Sequence, residues 1–253
     1  MTLIDSHCHL DFPDFADELD AVVKRARAAG VERMITIGTR PDKAARVAEI
    51  AERFDSVFFT VGTHPHEAAS EAAEDFAALR DFARHPKCVG IGEAGLDYHY
   101  NFAPPEVAQR VFRGQIGLAR ELKLPIVIHT REAEDDTFAL LRERAAGVTV
   151  ILHCFSAPAR VEECVERGYM CSFAGNVTYP KAVELQAAAR DLPEELLLVE
   201  TDSPYLSPQP VRGKPNEPAN VVATAQFVAE LRGMQYEALD AAVERNAARV
   251  FNW

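Results

Sequence analysis

The sequence predicts an α/β protein, a single (β/α)8 TIM-type barrel that spans residues 1–253. Eight short apolar runs alternate with stretches of helical periodicity from one end of the chain to the other. Most of these runs are continuously apolar, which is typical of parallel strands covered on both faces. A chain of 253 residues without a linker has the usual size of one such barrel. An open doubly wound sheet is the alternative, although no GxGxxG follows a strand to support its dinucleotide-binding form.

The predicted elements follow one another without a break. Strands are expected at 3–8, 32–38, 56–62, 88–92, 125–129, 148–152, 169–173 and 196–201. Helices are expected at 15–29, 41–53, 72–84, 105–123, 132–145, 159–167, 180–190, 219–232 and 236–250. Pro41 and Pro158 stand near predicted helix starts, and Gly168 stands near a helix end. The stretch from Ser203 to Pro218 contains five prolines and predicts a functional loop.

Composition limits the classes of function. The formal net charge is −12, which argues against an extended basic surface that grips duplex nucleic acid. Acidic substrates stay possible, because bound divalent cations can supply positive charge. The five cysteines form no CxxC pair and indicate reduced thiols in a cytoplasmic protein. No signal peptide or membrane-spanning run is visible, so we expect no membrane partner. We also expect a monomer without an organic cofactor.

Two histidines one residue apart lie at the end of the first predicted strand. Side chains alternate along a strand, so His7 and His9 point to the same face and Cys8 to the other. Two adjacent imidazoles can hold a metal ion, whereas Cys8 is expected to be a packed thiol. Two polar residues at a strand terminus are the plainer interpretation of the pair on its own.

Metal-capable residues recur at the ends of the later predicted strands. With the histidine pair, the candidate ligands are His7, His9, Glu93, His129, His153 and Asp202. In a barrel these strand ends share one rim. Six ligands are too many for one tetrahedral ion and suit two ions if a carboxylate bridges them, and Glu93 is the expected bridge. Imidazole and carboxylate ligands suit Zn, Mn, Fe or Co and do not exclude Mg.

Each of these residues also has a structural interpretation on its own. His129 or His153 after an apolar run can be a hydrogen-bonded histidine at the edge of the core. Glu93 can cap the following segment, and Asp202 before Ser203-Pro204 can be a turn residue. The joint pattern favours a metal centre, because one such residue recurs at several strand ends.

The chain resembles the TatD family of metal-dependent deoxyribonucleases along its whole length. The matching segments are IDSHCHL (4–10), GTHP (62–65), GEAGLDY (92–98), IHTREA (128–133), HCFS (153–156), ETDSPYL (200–206) and RGKPNEPAN (212–220). The resemblance implies a TIM-type barrel, two or three divalent ions, and hydrolysis of DNA with 3′–5′ exonuclease action on single-stranded ends. It also implies one ion on His7, His9, Glu93 and Asp202 and another on Glu93, His129 and His153. His64 would face the substrate phosphate or help to hold a further ion.

The chemistry of the rim adds expectations for catalysis and binding. Asp202 is expected to accept the proton of the attacking water, with pure ligation as the alternative. Arg131, two residues beyond His129, can hold a phosphate, or can pair with Glu132 or Glu134.

Further substrate contacts are expected in two loops. Arg212 and Lys214 lie in the long loop and are candidates for a neighbouring phosphate, although a solvated loop is the alternative. Tyr98, Tyr100 and Phe102 follow Glu93 closely and can either stack unpaired bases or pack the loop against the barrel.

Three functions remain open at the level of sequence. The first is a two-metal deoxyribonuclease that acts on single-stranded DNA ends. The second is a hydrolase of an ester or amide substrate, as in amidohydrolases or D-aminoacyl-tRNA deacylases. Many two-metal amidohydrolases use a carbamylated lysine where this chain has Glu93, which favours the first function. The third is a metal-binding protein without activity, which the complete ligand set disfavours.

Overall fold

The computed structural model describes residues 2–253 and contains one eight-stranded sheet. The strands are β1 (Leu3–Cys8), β2 (Val31–Ile37), β3 (Val57–Val61), β4 (Cys88–Asp97), β5 (Ile126–Arg131), β6 (Val150–Leu152), β7 (Met170–Phe173) and β8 (Leu197–Val199). The helices are α1 (Leu19–Ala28), α2 (Ala44–Arg53), α3 (Phe76–Phe82), α4 (Pro105–Leu122), α5 (Glu134–Arg144), α6 (Val161–Arg167), α7 (Val183–Asp191), α8 (Val221–Leu231) and α9 (Tyr236–Phe251). Strands neighbour one another in chain order, and this confirms the predicted TIM-type barrel.

The first and last strands meet and close the sheet. Cys8 forms a parallel bridge with Ser203, just beyond β8. The backbone N–H of Asp202 donates to the carbonyl oxygen of His7 at 2.9 Å, and that of His9 donates to the carbonyl oxygen of Ser203 at 2.9 Å. Such a closed sheet rules out the open doubly wound alternative. The thiol of Cys8 is buried and donates to the carbonyl oxygen of Ile35 at 3.3 Å, as expected of a packed cysteine.

One compact unit comprises the chain up to Thr36 and residues His153–Trp253. Its core includes β1, in which every residue is buried, and α9 packs against β1 and β8. The side-chain amide of Asn246 on α9 donates to the carbonyl oxygen of Leu197 at 2.9 Å, which fixes the start of β8. These contacts hold both strands of the closing seam against one helix.

The other compact unit comprises residues Ile37–Leu152. Helix α4 packs on β4, and its Gln115 side chain is fully buried. The Gln115 amide accepts from the N–H of Thr63 at 2.8 Å and donates to the Thr63 carbonyl oxygen at 2.9 Å. A buried amide that makes both bonds pins the segment that follows β3. The segment carries His64 at its next position.

Strand β4 runs on to Asp97, whereas the predicted strand ended at residue 92. The apolar run stops there because Gly92 and Gly95 interrupt it. Both glycines have positive φ, and a Cβ on Gly95 would lie 1.9 Å from the carbonyl oxygen of His129. The close approach of β4 to β5 at Gly95 therefore requires glycine. Because the strand continues to Asp97, Glu93 lies within it and Asp97 lies at its end.

Other boundaries also differ from prediction by a few residues, among them the start of α3 and the end of β8. Helix α3 begins at Phe76 rather than at residue 72, because the Asp75 carboxylate caps it by accepting from the N–H of Ala78 at 3.0 Å. Strand β8 ends at Val199, so Asp202 lies in the segment beyond it. No helix within residues 2–253 combines the length and apolar character that a membrane span needs.

The predicted functional loop between Ser203 and Pro218 is fastened to the barrel. Asn216 is buried, and its side-chain amide donates to the carbonyl oxygens of Thr201 at 3.0 Å and Tyr205 at 2.6 Å. The Ser207 hydroxyl donates to the carbonyl oxygen of Lys214 at 2.6 Å. Both ends of the loop are thus held by buried polar groups, which limits the positions its side chains can take.

Candidate active site

The closing seam brings three predicted ligands together. The Nε2 atom of His9 lies 3.3 Å from Oδ1 of Asp202, and Nε2 of His7 lies 3.7 Å from the same oxygen. The two Nε2 atoms are 3.3 Å apart. His7 is fully buried and His9 nearly so. Two imidazole nitrogens and a carboxylate oxygen that converge in this way form a donor set suited to a divalent cation.

The Asp5 carboxyl group accepts hydrogen bonds from the backbone next to this donor set. It accepts from the N–H of Thr201 at 2.8 Å and from the N–H of His7 at 3.3 Å. Asp5 is fully buried, and burial raises its pKa to about 8. A single side chain of β1 therefore positions both the backbone of a ligand and the segment before Asp202.

The Asp202 carboxylate is biased toward its ionised form. Burial raises its pKa, but the hydrogen bond with His9 and the charges of His153 and His7 outweigh burial, so the pKa lies below its usual value. Asp202 has a φ of 53°, a conformation that aspartate adopts more readily than most residues. An ionised carboxylate is the form that binds a metal ion or accepts a proton.

His153 lies beside His7 in this donor set. It contacts a buried carboxylate, Glu200, that was not predicted as a site residue. Its ring stacks on that of His7 with centroids 3.9 Å apart, and its Nδ1 atom lies 3.2 Å from Oε1 of Glu200. Glu200 is fully buried, and the same oxygen accepts from the N–H of Cys154 at 2.6 Å. A carboxylate on Nδ1 orients the ring and leaves Nε2 for a metal ion.

The other carboxylate oxygen of Glu200 indicates that a cation binds nearby. Oε2 is buried and accepts no hydrogen bond within residues 2–253. Donor atoms of His7, His153 and Glu200 lie within 4.8 Å of one another. A buried carboxylate oxygen without a donor is costly unless positive charge is near it. The residues present therefore fit a bound divalent ion.

The second compact unit holds Glu93 between two histidines. Oε1 of Glu93 lies 3.0 Å from Nδ1 of His129 and 3.3 Å from Nε2 of His64. Glu93 is 2% exposed, and its backbone N–H donates to the carbonyl oxygen of Gly38 at 2.9 Å. The pairing of Gly95 with His129 between β4 and β5 sets the register of this cluster. A buried carboxylate between imidazole nitrogens is a second donor set suited to a divalent cation.

His64 has a defined tautomer. Its Nδ1 atom accepts from the N–H of His66 at 3.1 Å, so the proton of the neutral ring lies on Nε2, which faces Glu93. Burial lowers the pKa of His64 to about 4, although the Glu93 charge opposes this shift. His64 is therefore a neutral hydrogen-bond donor at neutral pH.

Asp97 and His66 were also missed as site residues. Oδ2 of Asp97 lies 2.7 Å from Nε2 of His66 and 3.2 Å from Nε2 of His129. Burial raises the pKa of Asp97, but hydrogen bonds from His129, the N–H of Tyr100 and His66 lower it well below its usual value. The rule that a metal-bound histidine has a carboxylate partner predicts such residues, and both Asp97 and Glu200 stand within the motifs quoted above.

The predicted substrate contacts fall into two groups. Arg131 is exposed, and its guanidinium lies 4.9 Å from the ring centroid of Tyr100, whereas the neighbouring Glu132 pairs with His99 at 2.6 Å. Tyr98 is half-buried, and its hydroxyl bonds with Asp136 at 2.7 Å.

In the other compact unit, the guanidinium of Arg212 lies 4.1 Å from the ring centroid of Tyr179. Lys214, which follows two residues later, is exposed. Both residues belong to the loop between Ser203 and Pro218, whose backbone is held by hydrogen bonds to the barrel. Their cationic side chains therefore project from a backbone of fixed position.

Comparison with known proteins gives one consistent result. Residues 4–252 match the family model described as TatD related DNase. An uncharacterized metal-dependent hydrolase of Bacillus subtilis, YabD, is 39% identical, with 98% of each chain covered. The 3'-5' ssDNA/RNA exonuclease TatD of Klebsiella pneumoniae is 34% identical over 98% of this chain and 97% of its own. The crystal structure of YjjV, a TatD homologue of Escherichia coli K12, matches with a TM-score of 0.90 and 29% identity over 99% of this chain and 98% of its own.

Proposed function

The chain belongs to the family of TatD-related DNases and is a metal-dependent hydrolase, and we propose that it removes nucleotides from the 3′ ends of single-stranded DNA by phosphodiester hydrolysis. The observation that carries this proposal is the pair of buried histidine and carboxylate clusters at strand ends of a TIM-type barrel. The name of the Klebsiella pneumoniae relative, an exonuclease of single-stranded DNA and RNA, supports the substrate class and direction.

We assign the ligands as two sets that share Glu93. One ion would bind His7, His9, Glu93 and Asp202, and the other would bind Glu93, His129 and His153. When bound, two such ions activate a water molecule and stabilise the charge on the phosphoryl oxygens. Glu200 and Asp97 would orient His153 and His129 through the ring nitrogens that do not face an ion.

Asp202 is the proposed general base. Its low pKa keeps the carboxylate ionised at neutral pH, so it can accept the proton of the attacking water. His64 carries its proton on Nε2, so it would donate a hydrogen bond to an oxygen of the scissile phosphate. The first role needs a deprotonated carboxylate and the second a neutral ring that carries a proton, and the different surroundings of the two side chains provide these states.

Few cationic side chains are proposed to contact the rest of the substrate. Arg131, Arg212 and Lys214 would contact phosphates of the strand, and Tyr98 would border the same path. A footprint of so few contacts gives a shallow dependence of binding on salt, because the slope scales with the number of phosphates neutralised. The net charge of −12 is compatible with this small footprint.

The test is hydrolysis of 5′-labelled single-stranded DNA by protein stripped with chelator and then loaded separately with Mg, Mn, Co or Zn. The expected product is a ladder that shortens from the 3′ end, and phosphorothioate linkages at that end should block it. His153→Ala protein purified in the same way excludes a contaminating nuclease. Hydrolysis of an ester or amide panel without any cleavage of DNA would instead favour the alternative class of hydrolase, and rapid cutting of closed circular DNA would contradict an end-directed enzyme.

A further inference from the structure

Two aromatic side chains lie open to solvent beside the Glu93–His129 cluster. The rings of Tyr100 and Phe102 are parallel within 1°, with centroids 5.5 Å apart, which is an offset stack. Tyr100 is 49% exposed and Phe102 is 61% exposed. Both rings are large apolar surfaces that the fold leaves uncovered, although burial of such rings is normally favourable.

The stack is tied to the candidate metal ligands through one carboxylate. Oδ1 of Asp97 accepts from the backbone N–H groups of His99 and Tyr100, both at 3.0 Å. Oδ2 of the same group faces His66 and His129. The turn that carries the rings is thus fixed relative to His129.

A third ring completes the cluster. The imidazole of His66 stands nearly perpendicular to both rings, at 5.1 Å from the centroid of Tyr100 and 4.9 Å from that of Phe102. The guanidinium of Arg131 lies over Tyr100 at 4.9 Å. An open aromatic surface with a cation at its edge is complementary to a nucleotide, which presents a flat base and an anionic phosphate.

The size of the patch favours a base over a protein partner. Five large apolar side chains are exposed within residues 2–253, and the other three are Val165, Val183 and Tyr205. Stable protein interfaces bury about 800 Å² on each partner, far more than two rings provide. Tyr205 meets Phe12 nearly edge to face, at 78°, and so offers no continuous plane.

We propose that Tyr100 and Phe102 form a stacking platform for one unpaired nucleobase of the DNA strand and so select single-stranded substrates. This inference rests on the proposed function and deepens it. Within a duplex the adjacent base pairs stack on both faces of each base, so a paired strand cannot use the platform without opening. Asp97 is then a positioning residue that sets the distance from the stacked base to His129.

The test compares Phe102→Ala, Phe102→Leu and wild type on oligonucleotides in which one abasic residue is placed at each position in turn. Phe102→Ala should raise the Kd and KM for the fully based strand about tenfold, in keeping with the loss of one base–aromatic stack. Phe102→Leu should recover little, because it restores apolar volume without a ring face. When the abasic residue occupies the stacked position, wild type and Phe102→Ala should have equal Kd and KM values. At every other position the difference in Kd and KM should persist.

Binding is measured by fluorescence anisotropy with metal-loaded protein on strands whose 3′ linkages are phosphorothioates that block cleavage, so it does not depend on turnover. Val183→Ala removes an equally exposed apolar side chain and should change neither Kd nor KM. An effect of Phe102→Ala that is absent, or that is the same at every abasic position, would overturn the platform while DNA cleavage by wild type still supported the proposed function. Failure of wild type to bind or cleave any strand would overturn both.

Discussion

The N–H of Asp202 donates to the carbonyl oxygen of His7 at 2.9 Å, so two candidate ligands from opposite ends of the chain are joined through their backbones. Side-chain substitutions at either residue leave this bond in place. Closure of the barrel between β1 and β8 therefore depends on backbone hydrogen bonds, whereas metal binding would depend on the side chains. We expect that both side chains can be changed without opening the sheet.

Asp202→Asn tests the general base. We expect the turnover number to fall by roughly a thousandfold or more, because an amide neither accepts the proton of water nor binds a cation as a carboxylate does. Circular dichroism, and thermal unfolding of both proteins with chelator present, should match wild type, because the backbone bonds of the seam remain. Asp191→Asn, an exposed residue paired with Arg190, is the matched control. A near-normal rate for Asp202→Asn would remove this residue from the mechanism.

Metal content tests the bridging role of Glu93. Protein purified without chelator should carry about two divalent ions per chain, and Glu93→Ala should lose more than one of them, because both ions would share this ligand. Plasma mass spectrometry against protein concentration gives the ratio. Glu143→Ala, which removes an exposed carboxylate paired with Arg144, should keep the wild-type ratio. A single ion that persists in Glu93→Ala would refute a shared ligand.

Glu200→Gln tests the support of His153. We expect metal affinity to fall roughly 10–100-fold, because the amide no longer stabilises the orientation and basicity of the imidazole. Competition with a chromogenic chelator measures the affinity directly. Glu195→Gln, at an exposed residue before β8, should leave the metal affinity unchanged. If Glu200→Gln bound metal as tightly as wild type, the buried contact with His153 would be only structural.

Alkaline pH should destabilise the fold through buried thiols. Burial raises the pKa of Cys88 from 9.0 to about 12, so the native thiol keeps its proton where the unfolded thiol loses it. The associated stability is fully present below pH 9 and is lost as the pH rises toward 12, with a total of about 4 kcal/mol. Urea unfolding with chelator present should give a smaller loss between pH 8 and 10 for Cys88→Ala than for wild type. Equal losses would show that other groups cause the change.

The barrel was predictable because its signals are local. Each strand appears as an apolar run and each helix as a periodic stretch, and β1 was predicted to the residue. The extension of β4 was not, because Gly92 and Gly95 end the apolar pattern although the backbone continues in the sheet. The need for glycine there depends on the distance between two strands, and that distance is a property of the folded barrel.

The clustering of the candidate ligands was predictable because these residues recur at strand ends, but the carboxylates that contact them were not. Glu200 and Asp97 are carboxylates in the same motifs as ligands, and residue type alone does not distinguish a ligand from a residue that orients one. The contact of Arg131 with Tyr100, in place of an ion pair with Glu132, depends on the conformation of the loop. Roles of this kind are set by distances between elements that the sequence pattern does not encode.

The shared use of the Asp97 carboxylate has a consequence for loop engineering. Exchange of residues 98–104 with another sequence would replace both rings, yet Asp97 would still accept hydrogen bonds from the N–H groups of the second and third residues of the new segment. A turn that cannot present both N–H groups, such as one with proline in place of Tyr100, would leave Oδ1 of Asp97 with only the hydrogen bond from residue 99. A transplanted loop must therefore be chosen first for a backbone that presents these N–H groups and then for its side chains. Substrate specificity at this rim can be changed by loop exchange only if that condition is met.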